Sequence, residues 1–391
     1  MSSNRNILLC VFLAGLLVVG ISNLIISRFR SSAALKYRVY TFESLHGVTA
    51  DTTDSKRLHI PPGKYTVVAI DDSGSLDECV SFIKKVMFLN KDAYIGLPVE
   101  LFNKLASLGN ECPEIRNLVL GISIEDNVMP RLSALKSLLR LRIILGHSGK
   151  KEFVKSGEVS KYRLSPKEKD YLAGIVSDAC SLRNIRELVI KARYFDIDLS
   201  CLDKQRHLKK LGVSSSALSL PDDIGSIRSL VISCMKMDDY HKKIAGYRDL
   251  RELQFDLSTF PDAVKMPGMP ALISLDMSYN SFKSVKFGPM PLLENLNLEL
   301  CSKLKEIKGL DQMPRLSFLN VSYTVIDNLD FIPDYSNLSY LNLANCKSIN
   351  NFSMLPKLAK LRTLDISECN VQNKHFPADK LSPDCLVFKD N

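Results

Sequence analysis

The chain has 391 residues, of which 46% are hydrophobic and 24% are charged, and its formal net charge is +9. This composition excludes a wholly disordered chain, because it supplies enough apolar side chains for a large core. The basic residues are spread along the chain and form no block of the kind found in nucleic-acid arms, so nucleic-acid binding is not favoured.

The first predicted element is a membrane segment. From Ile7 to Ile26 the sequence ILLCVFLAGLLVVGISNLII carries no charge, and as a helix rising about 1.5 Å per residue it spans the roughly 30 Å hydrocarbon layer. Two interpretations stay open. One is an uncleaved anchor within residues 1–30, favoured by the long apolar core; the other is a cleaved signal peptide, whose core is usually about 7–15 residues.

The side of the membrane on which the rest of the chain lies also stays open. The positive-inside rule, applied to the basic residues that follow the segment, would keep the large domain cytosolic. A short tail before a single early anchor, in contrast, commonly stays inside and sends the rest across. The basic residue before the segment is Arg5, and those after it are Arg28, Arg30, Lys36 and Arg38.

Residues 31–63 are polar and poorly periodic, and we expect a juxtamembrane linker there. Residues 64–114 are expected to form an N-terminal cap or atypical first repeat. Within them KYTVVAID predicts a strand, and SLDECVSFIKKVMFLN predicts an amphipathic helix that starts at Ser75 with Glu78 three residues later. LPVELFNKLASL then fits the return half of that first repeat.

From residue 115 to residue 371 one pattern recurs, with aliphatic residues at its first, fourth and sixth places. The spacing is 19–23 residues, apart from one interval of 47 that holds an insertion or degenerate repeat at about 147–180. Residues 372–391 are expected to form a C-terminal cap, with a closing strand in SPDCLVFKDN. The repeats start at Ile115, Leu138, Ile185, Leu208, Ile227, Leu250, Leu272, Leu293, Leu316, Leu338 and Leu361.

This pattern resembles the leucine-rich repeat family, LxxLxLxx(N/C)xL, and LSFLNVSYTVIDNLDFIPDYSNLSYLNLANC resembles the repeats of bacterial internalin-like proteins. The resemblance implies an α/β solenoid with a parallel sheet on its concave face and short helices or turns on its convex face. Asn280 and the cysteines at 301, 346 and 369 fit the ninth place, whereas Ser216, Met235, Ser258 and Thr324 depart from it.

Strand geometry gives each place a direction. Places four and six point into the coil, places three, five and seven point outward, and the ninth place turns inward at the end of the strand. The ninth-place cysteines are therefore expected to be buried ladder residues. Two alternatives are a disulfide between Cys346 and Cys369 and a metal site, although no histidine or carboxylate recurs beside them.

The outward face is the candidate partner-binding site, and three of its features stand out. The fifth places form an amide and carboxylate column, Phe318 and Tyr340 form an aromatic pair with Tyr279 and Tyr323 nearby, and charge changes from basic in early repeats to acidic in later ones. The candidates are Arg140, Arg142, Lys191, Lys210, Gln254, Asp276, Asn297, Phe318, Asn320, Tyr340, Asn342 and Asp365, flanked by Tyr279 and Tyr323.

The sequence therefore predicts a single-pass membrane protein whose repeats bind another protein. The alternatives are a structural or envelope surface protein without a dedicated ligand, and an adaptor of a ubiquitin-ligase or signalling assembly. No phosphate loop, HExxH, GxSxG or CxxC motif occurs, so we expect no enzyme, cofactor, metal or small-molecule substrate.

Overall fold

The structure is a computed structural model, and it describes residues 37–42, 48–49, 66–70, 75–109, 113–125, 127–146, 154–156, 159–161, 164–236, 243–334, 337–369 and 376–389. The chain divides into two compact units, residues 1–201 and residues 202–391. The predicted membrane segment, residues 7–26, lies outside the described residues. Among the helices that are described, none has the length and apolar character needed to cross a membrane.

Unit 1 is built on a mixed sheet. β1 pairs antiparallel with β2 and β3, and then β3, β4, β5, β6 and β9 pair in parallel in that order, while β7 and β8 form an antiparallel hairpin. The strands are β1 Tyr37–Phe42, β2 Val48–Thr49, β3 Thr66–Ile70, β4 Tyr94–Pro98, β5 Asn117–Ser123, β6 Arg140–Gly146, β7 Val154–Ser156, β8 Val159–Lys161, β9 Glu187–Ala192 and β10 Ile197–Asp198. The helices are α1 Leu76–Leu89, α2 Val99–Ala106 and α3 Pro166–Cys180.

The cap elements follow their local sequence signals. The predicted strand is β3, and the predicted helix is α1, which begins after Ser75 with a capping box: the serine side chain accepts from the Glu78 amide, and the Glu78 carboxylate accepts from the Ser75 amide. α2 occupies the segment predicted to be the return half of the first repeat.

Two unit 1 segments contain elements that were not predicted from the sequence. The linker predicted at residues 31–63 contains β1 and β2, because YRVYTF is rich in aromatic and β-branched residues that favour a strand. The insertion predicted at about 147–180 includes α3. Its start signal is a second capping box, Ser165 with Glu168, with Pro166 in the first turn, and its buried face includes Leu172 and Ile175.

Unit 2 carries one strand of its main sheet in each repeat, all parallel, in the order β11, β12, β13, β15, β17, β19, β20, β21, β22. These strands are β11 Lys210–Ser219, β12 Ser229–Lys236, β13 Glu252–Phe255, β15 Ser274–Asp276, β17 Asn295–Asn297, β19 Phe318–Asn320, β20 Tyr340–Asn342, β21 Thr363–Asp365 and β22 Leu386–Phe388. A second sheet contains β14 Ala263–Met266, β16 Ser284–Phe287 and β18 Glu306–Lys308.

Short 3-10 helices occur in both units. They lie at Leu132–Ala134, Ser200–Lys204, Leu310–Gln312, Leu355–Lys357 and Ala378–Lys380.

The register confirms the predicted repeat. Place four of every unit 2 repeat faces place four of the next without a shift, and all of these leucines are at most 2% exposed. One coil cannot bury its own leucines, so the core exists only because the coils stack. The aligned column is Leu211, Leu230, Leu253, Leu275, Leu296, Leu319, Leu341, Leu364 and, in the closing strand, Val387.

The return segments differ from the prediction of short helices or turns on the convex face. In three successive repeats they form the parallel strands β14, β16 and β18 instead. The sequences AVKM, SVKF and EIK alternate inward apolar residues with outward polar or small ones, which is the period of a strand and not of a helix. Two 3-10 helices agree with the prediction: Leu310–Gln312 follows β18 in the same return segment, and Leu355–Lys357 lies in a later one.

The ninth places form a buried polar ladder. The Sγ atoms of Cys301, Cys346 and Cys369 donate to the place-six carbonyl of the preceding repeat, at 3.2, 3.1 and 2.9 Å. Ser258 and Asn280 make the equivalent bond with oxygen and nitrogen atoms, at 3.2 and 3.0 Å. The prediction that these cysteines are ladder residues is thus confirmed by position and by hydrogen bonding.

The backbone turns into this ladder through the eighth place. In six successive repeats this residue has a positive φ of 47–60°, a conformation uncommon for residues other than glycine. In four of these repeats the amide of this residue donates to the place-seven carbonyl of the following repeat, as Tyr279 does to Glu299 and Tyr323 does to Ala344. The stacked coils therefore hold the turn in place. The six residues are Leu257, Tyr279, Leu300, Tyr323, Asn345 and Glu368.

The disulfide in the structure is not the one that was considered as an alternative for the ladder cysteines. Cys346 and Cys369 are buried thiols and do not form a disulfide with each other. A disulfide instead joins Cys180, the last residue of α3, to Cys201, with the two Cα atoms 5.9 Å apart. The described residues contain no group of three or more histidine, cysteine or acidic side chains able to hold a metal ion.

Candidate functional site

The outward places of each sheet define a surface that we call the front face of unit 1 or of unit 2. It consists of places three, five and seven, which alternate with the inward places four and six. In unit 2, the front face between β13 and β22 contains most of the residues predicted to bind a partner. Lys210 lies at place three of β11 in the same unit and is half-buried.

The front face of unit 1 is a small second core and not an open surface. Tyr94, Val119 and Ile144 are 2%, 4% and 8% exposed, and Val67 packs against them. The predicted binding residue Arg142 is engaged there: its Nη2 atom lies 2.9 Å from Glu187 Oε1, and its guanidinium lies 4.7 Å from the centre of the Tyr94 ring.

This packing has an electrostatic consequence. The Tyr94 hydroxyl donates to Glu187 Oε1 at 3.2 Å, and burial raises the pKa of Tyr94 to about 12. Arg140 pairs with Asp92 at 3.5 Å, and Lys191 is half-buried at place seven of β9. Arg142 therefore takes part in the internal packing of unit 1, whereas Arg140 forms a solvent-exposed ion pair.

In unit 2 the predicted amide and carboxylate column has a local structural role. The Oδ1 atom at place five accepts from the amide at place seven, two residues later, in five successive repeats. These Asx turns start the bend that leads into the positive-φ residue. The distances are 2.9–3.1 Å, and the acceptors are Asp276, Asn297, Asn320, Asn342 and Asp365. Gln254, at the start of the column, is exposed.

The aromatic pair lies together as its spacing indicates. Phe318 and Tyr340 occupy place three of neighbouring strands, and their rings stack with centroids 4.6 Å apart and planes at 10°. Both side chains are half-buried. Stacking of this kind adds about 0.5–1.5 kcal/mol beyond area burial and fixes the orientation of the rings.

Two apolar residues of the closing strand lie on the same face as this pair and were missed by sequence reasoning. Leu386 and Phe388 of β22 are 65% and 53% exposed. Because Val387 between them faces Leu364 in register, both flanking side chains lie on the front face, Leu386 in the same row as Tyr340. The alternation in CLVFKD was the available signal, but the register of the closing strand was needed to interpret it.

The flanking tyrosines lie beside carboxylates. Tyr279 and Tyr323 occupy eighth places on either side of Glu299, and both side chains are half-buried. Burial, and then the negative charges of Glu299 for Tyr279 and of Glu368 for Tyr323, raise the pKa of these hydroxyls. The tyrosines therefore stay protonated hydrogen-bond donors at neutral pH.

Glu299 is half-buried at place seven of its repeat. Its pKa is raised above the ordinary value by burial and by the nearby charge of Asp276, although the Asn320 Nδ2 donates to Glu299 Oε2 at 3.3 Å and opposes the shift. The ionised form is therefore less stable here than in water.

A depression of about 860 Å³ lies elsewhere in unit 2, beside the edge of β18. Its lining mixes lysines with carboxylates, includes Lys305, Asp330 and Asp334, and contains no histidine or cysteine. It gathers no set of groups typical of a catalytic centre.

One strand per coil, an unshifted parallel register and a buried ninth-place ladder define a leucine-rich repeat fold. The sequence matches no protein-family model and no curated protein. Among solved structures, an internalin from Listeria monocytogenes is similar at 16% identity with a TM-score of 0.38, over 66% of this chain and 82% of that one. A leucine-rich repeat protein from Leptospira interrogans is similar at 16% identity with a TM-score of 0.26, over 73% and 91%.

Proposed function

We propose that this chain is a membrane-tethered leucine-rich repeat protein that binds another protein through the front face of unit 2. The supporting observation is the group of apolar side chains that the fold leaves in contact with solvent on this face, namely the stacked Phe318 and Tyr340 together with Leu386 and Phe388. None of these side chains is needed inside a coil. Exposed apolar patches of this kind mark interaction sites, and aromatic anchors dominate their binding energy.

Photo-crosslinking tests this proposal on the full chain in its native membranes. With p-benzoylphenylalanine in place of Thr363, which lies on the front face between Tyr340 and Leu386, we expect an adduct with one partner protein. The same group in place of the exposed Ser353, in a return segment, is expected to give no such adduct.

The double substitution Phe318→Ala with Tyr340→Ala is expected to reduce the Thr363 adduct at least tenfold, because each aromatic anchor in such a patch is worth about 2 kcal/mol or more. Phe88→Ala is the matched control, since Phe88 is 89% exposed on α1 in unit 1. An adduct that persists in the double variant would contradict the proposal.

We also propose that residues 7–26 form the tether and that both units lie on the oxidising side of the membrane. The uncharged sequence of this segment supports the tether. The Cys180–Cys201 disulfide supports the side, because disulfides persist in oxidising compartments and are rare in the cytosol. The ladder thiols fit the same compartment: burial raises the pKa of Cys301 to about 12, which keeps it protonated and unreactive.

One experiment on native membranes checks both parts. After an alkaline carbonate wash we expect the chain to stay in the membrane pellet. Non-reducing peptide mapping of that material, alkylated in denaturant, should recover Cys180 and Cys201 as a linked pair, while Cys301, Cys346 and Cys369 carry the alkyl label. Release by carbonate would refute the tether, and alkylated Cys180 and Cys201 would refute the oxidising side.

A further inference from the structure

The front face of unit 2 carries acidic side chains and no basic ones between β13 and the end of the β21 repeat. No lysine or arginine occupies place three, five or seven, or the adjoining place eight, from residue 252 to residue 368, whereas these places hold six carboxylates. The six are Glu252, Asp256, Asp276, Glu299, Asp365 and Glu368.

Three of these carboxylates have no ion pair with a lysine or arginine among the described residues. Within the described residues, Asp276 and Asp365 accept only from the amides of Ser278 and Ser367, and Glu299 accepts only from Asn320. Glu299 is half-buried near Asp276, so two like charges share a partly desolvated surface. A cation placed between them would relieve this repulsion, and the described part of the chain supplies none.

The distribution of the carboxylates favours several cations over one. The described residues contain no cluster tight enough to hold a metal ion. Asp276 and Asp365 lie on strands four spacings apart, which is about 20 Å at roughly 4.8 Å per strand. An extended polypeptide covers that distance in about six residues and presents alternate side chains to the same side.

The aromatic pair favours arginine over lysine as the source of these cations. Phe318 lies on β19, next to β17, the strand that leads to Glu299. Tyr340 lies on β20, next to β21, the strand that contains Asp365. The two rings stack and are partly exposed. A planar guanidinium both pairs with carboxylates and stacks on aromatic rings, whereas a lysine ammonium is a compact, strongly hydrated charge.

We propose that the partner binds this face through an extended segment that carries arginines at alternate positions. The guanidinium groups lie among Asp276, Glu299 and Asp365 and against the rings of the aromatic pair. This inference rests on the proposed function and gives the chemistry of the partner. Opposite charge would also speed association, more at low salt than at high salt.

A short labelled serine-glycine peptide with arginine at alternate positions is the probe, and fluorescence anisotropy with the full chain in detergent is the measurement. The same peptide with citrulline, which keeps the shape and removes the charge, is expected to bind at least tenfold more weakly. The lysine peptide should fall between them, because it keeps the charge and loses the stacking.

The double variant Asp276→Asn with Glu299→Gln removes two charges and keeps the oxygen acceptors of both side chains. We expect it to bind the arginine peptide about tenfold more weakly. The matched control, Asp249→Asn with Glu294→Gln, removes two exposed charges outside the front-face places and is expected to bind as the unaltered chain does. The front-face variant should unfold at a temperature no lower than the unaltered chain, because the Glu299→Gln change removes a carboxylate whose ionised form burial disfavours.

The outcomes separate this inference from the proposed function. Equal affinity for the arginine and citrulline peptides, or equal weakening by the two double variants, would overturn the inference. The Thr363 adduct should also fall in the Asp276→Asn and Glu299→Gln variant. If that adduct persists there but is lost in the Phe318 and Tyr340 variant, the proposed function stands and the arginine segment is refuted. If the Thr363 crosslink joins residues 147–163 of this same chain and no other protein, the idea that a separate partner protein binds the front face is refuted.

Discussion

Replacing Asn280 with alanine is expected to lower the free energy of unfolding by about 4 kcal/mol. The Asn280 side chain is 3% exposed, and its Nδ2 atom donates to the carbonyls of Phe255, Met277 and Ser278 at 3.0, 2.8 and 2.8 Å. Its Oδ1 atom accepts from the Ser258 amide at 2.8 Å. Alanine removes this partner from the Ser258 amide and from the carbonyls of Phe255 and Ser278 where water does not reach, and each loss costs about 1–3 kcal/mol before relaxation, whereas the Met277 carbonyl still accepts from the Cys301 thiol.

Urea unfolding followed by circular dichroism measures this effect. Asn295→Ala is the matched control: Asn295 is exposed at place three of the next repeat, and its replacement should change stability by no more than about 0.5 kcal/mol. Asn280→Cys should cost less than Asn280→Ala, because Cys301 shows that a thiol at this place still reaches the preceding carbonyl. Equal effects of the two alanine variants would refute the ladder as a source of stability.

The repeat itself was predictable because it depends on one periodic requirement. Every coil must place its fourth and sixth residues inward, so the sequence shows that requirement at each repeat, and the strand register agrees with all the predicted starting residues in unit 2. The burial of Cys301, Cys346 and Cys369 followed from the same geometry. Features that every coil needs occur many times in the sequence.

Features that depend on a neighbouring coil were not predictable. The positive φ at Tyr279, Leu300 and Tyr323 has no local signal, since these residue types rarely adopt it and the hydrogen bonds of the following coil hold it. The engagement of Arg142 with Glu187 depends on strands 45 residues apart in sequence. The helix α3 was a different case, because Ser165 and Glu168 did indicate it, within a charged stretch interpreted as an insertion.

In the candidate site, too, some features could be predicted from the repeat and others depend on the structure. Phe318 and Tyr340 could be placed side by side from their shared place in the repeat, and the stacked rings agree. That Leu386 and Phe388 belong to the same face could be recognised only from the register of the closing strand, because the sequence of that strand shows only half of the repeat pattern. The fifth-place column was identified correctly, but its Asx turns could not be seen without the backbone.

Replacing Gly309 with alanine is expected to lower the free energy of unfolding by about 3 kcal/mol. Gly309 has a φ of +93°, which disfavours any residue with a Cβ atom. An added Cβ would also lie 2.3 Å from the carbonyl oxygen of Phe287 in the preceding coil. That oxygen belongs to the backbone at the end of β16, so β16 and β18 would have to move apart.

Gly225→Ala is the matched control, because a Cβ there meets only the Asp223 carboxylate, at 3.5 Å, an ordinary contact distance. It should change stability by no more than about 0.5 kcal/mol, or raise it slightly by restricting the unfolded chain. Gly288 supports the same reasoning as Gly309, since its added Cβ would lie 2.5 Å from the Gly268 amide nitrogen. Successive coils therefore approach through glycines on the side of unit 2 that carries the second sheet. If Gly309→Ala unfolds at the same urea concentration as Gly225→Ala, this close approach does not hold the coils together, and the burial of the inward leucines must do so alone.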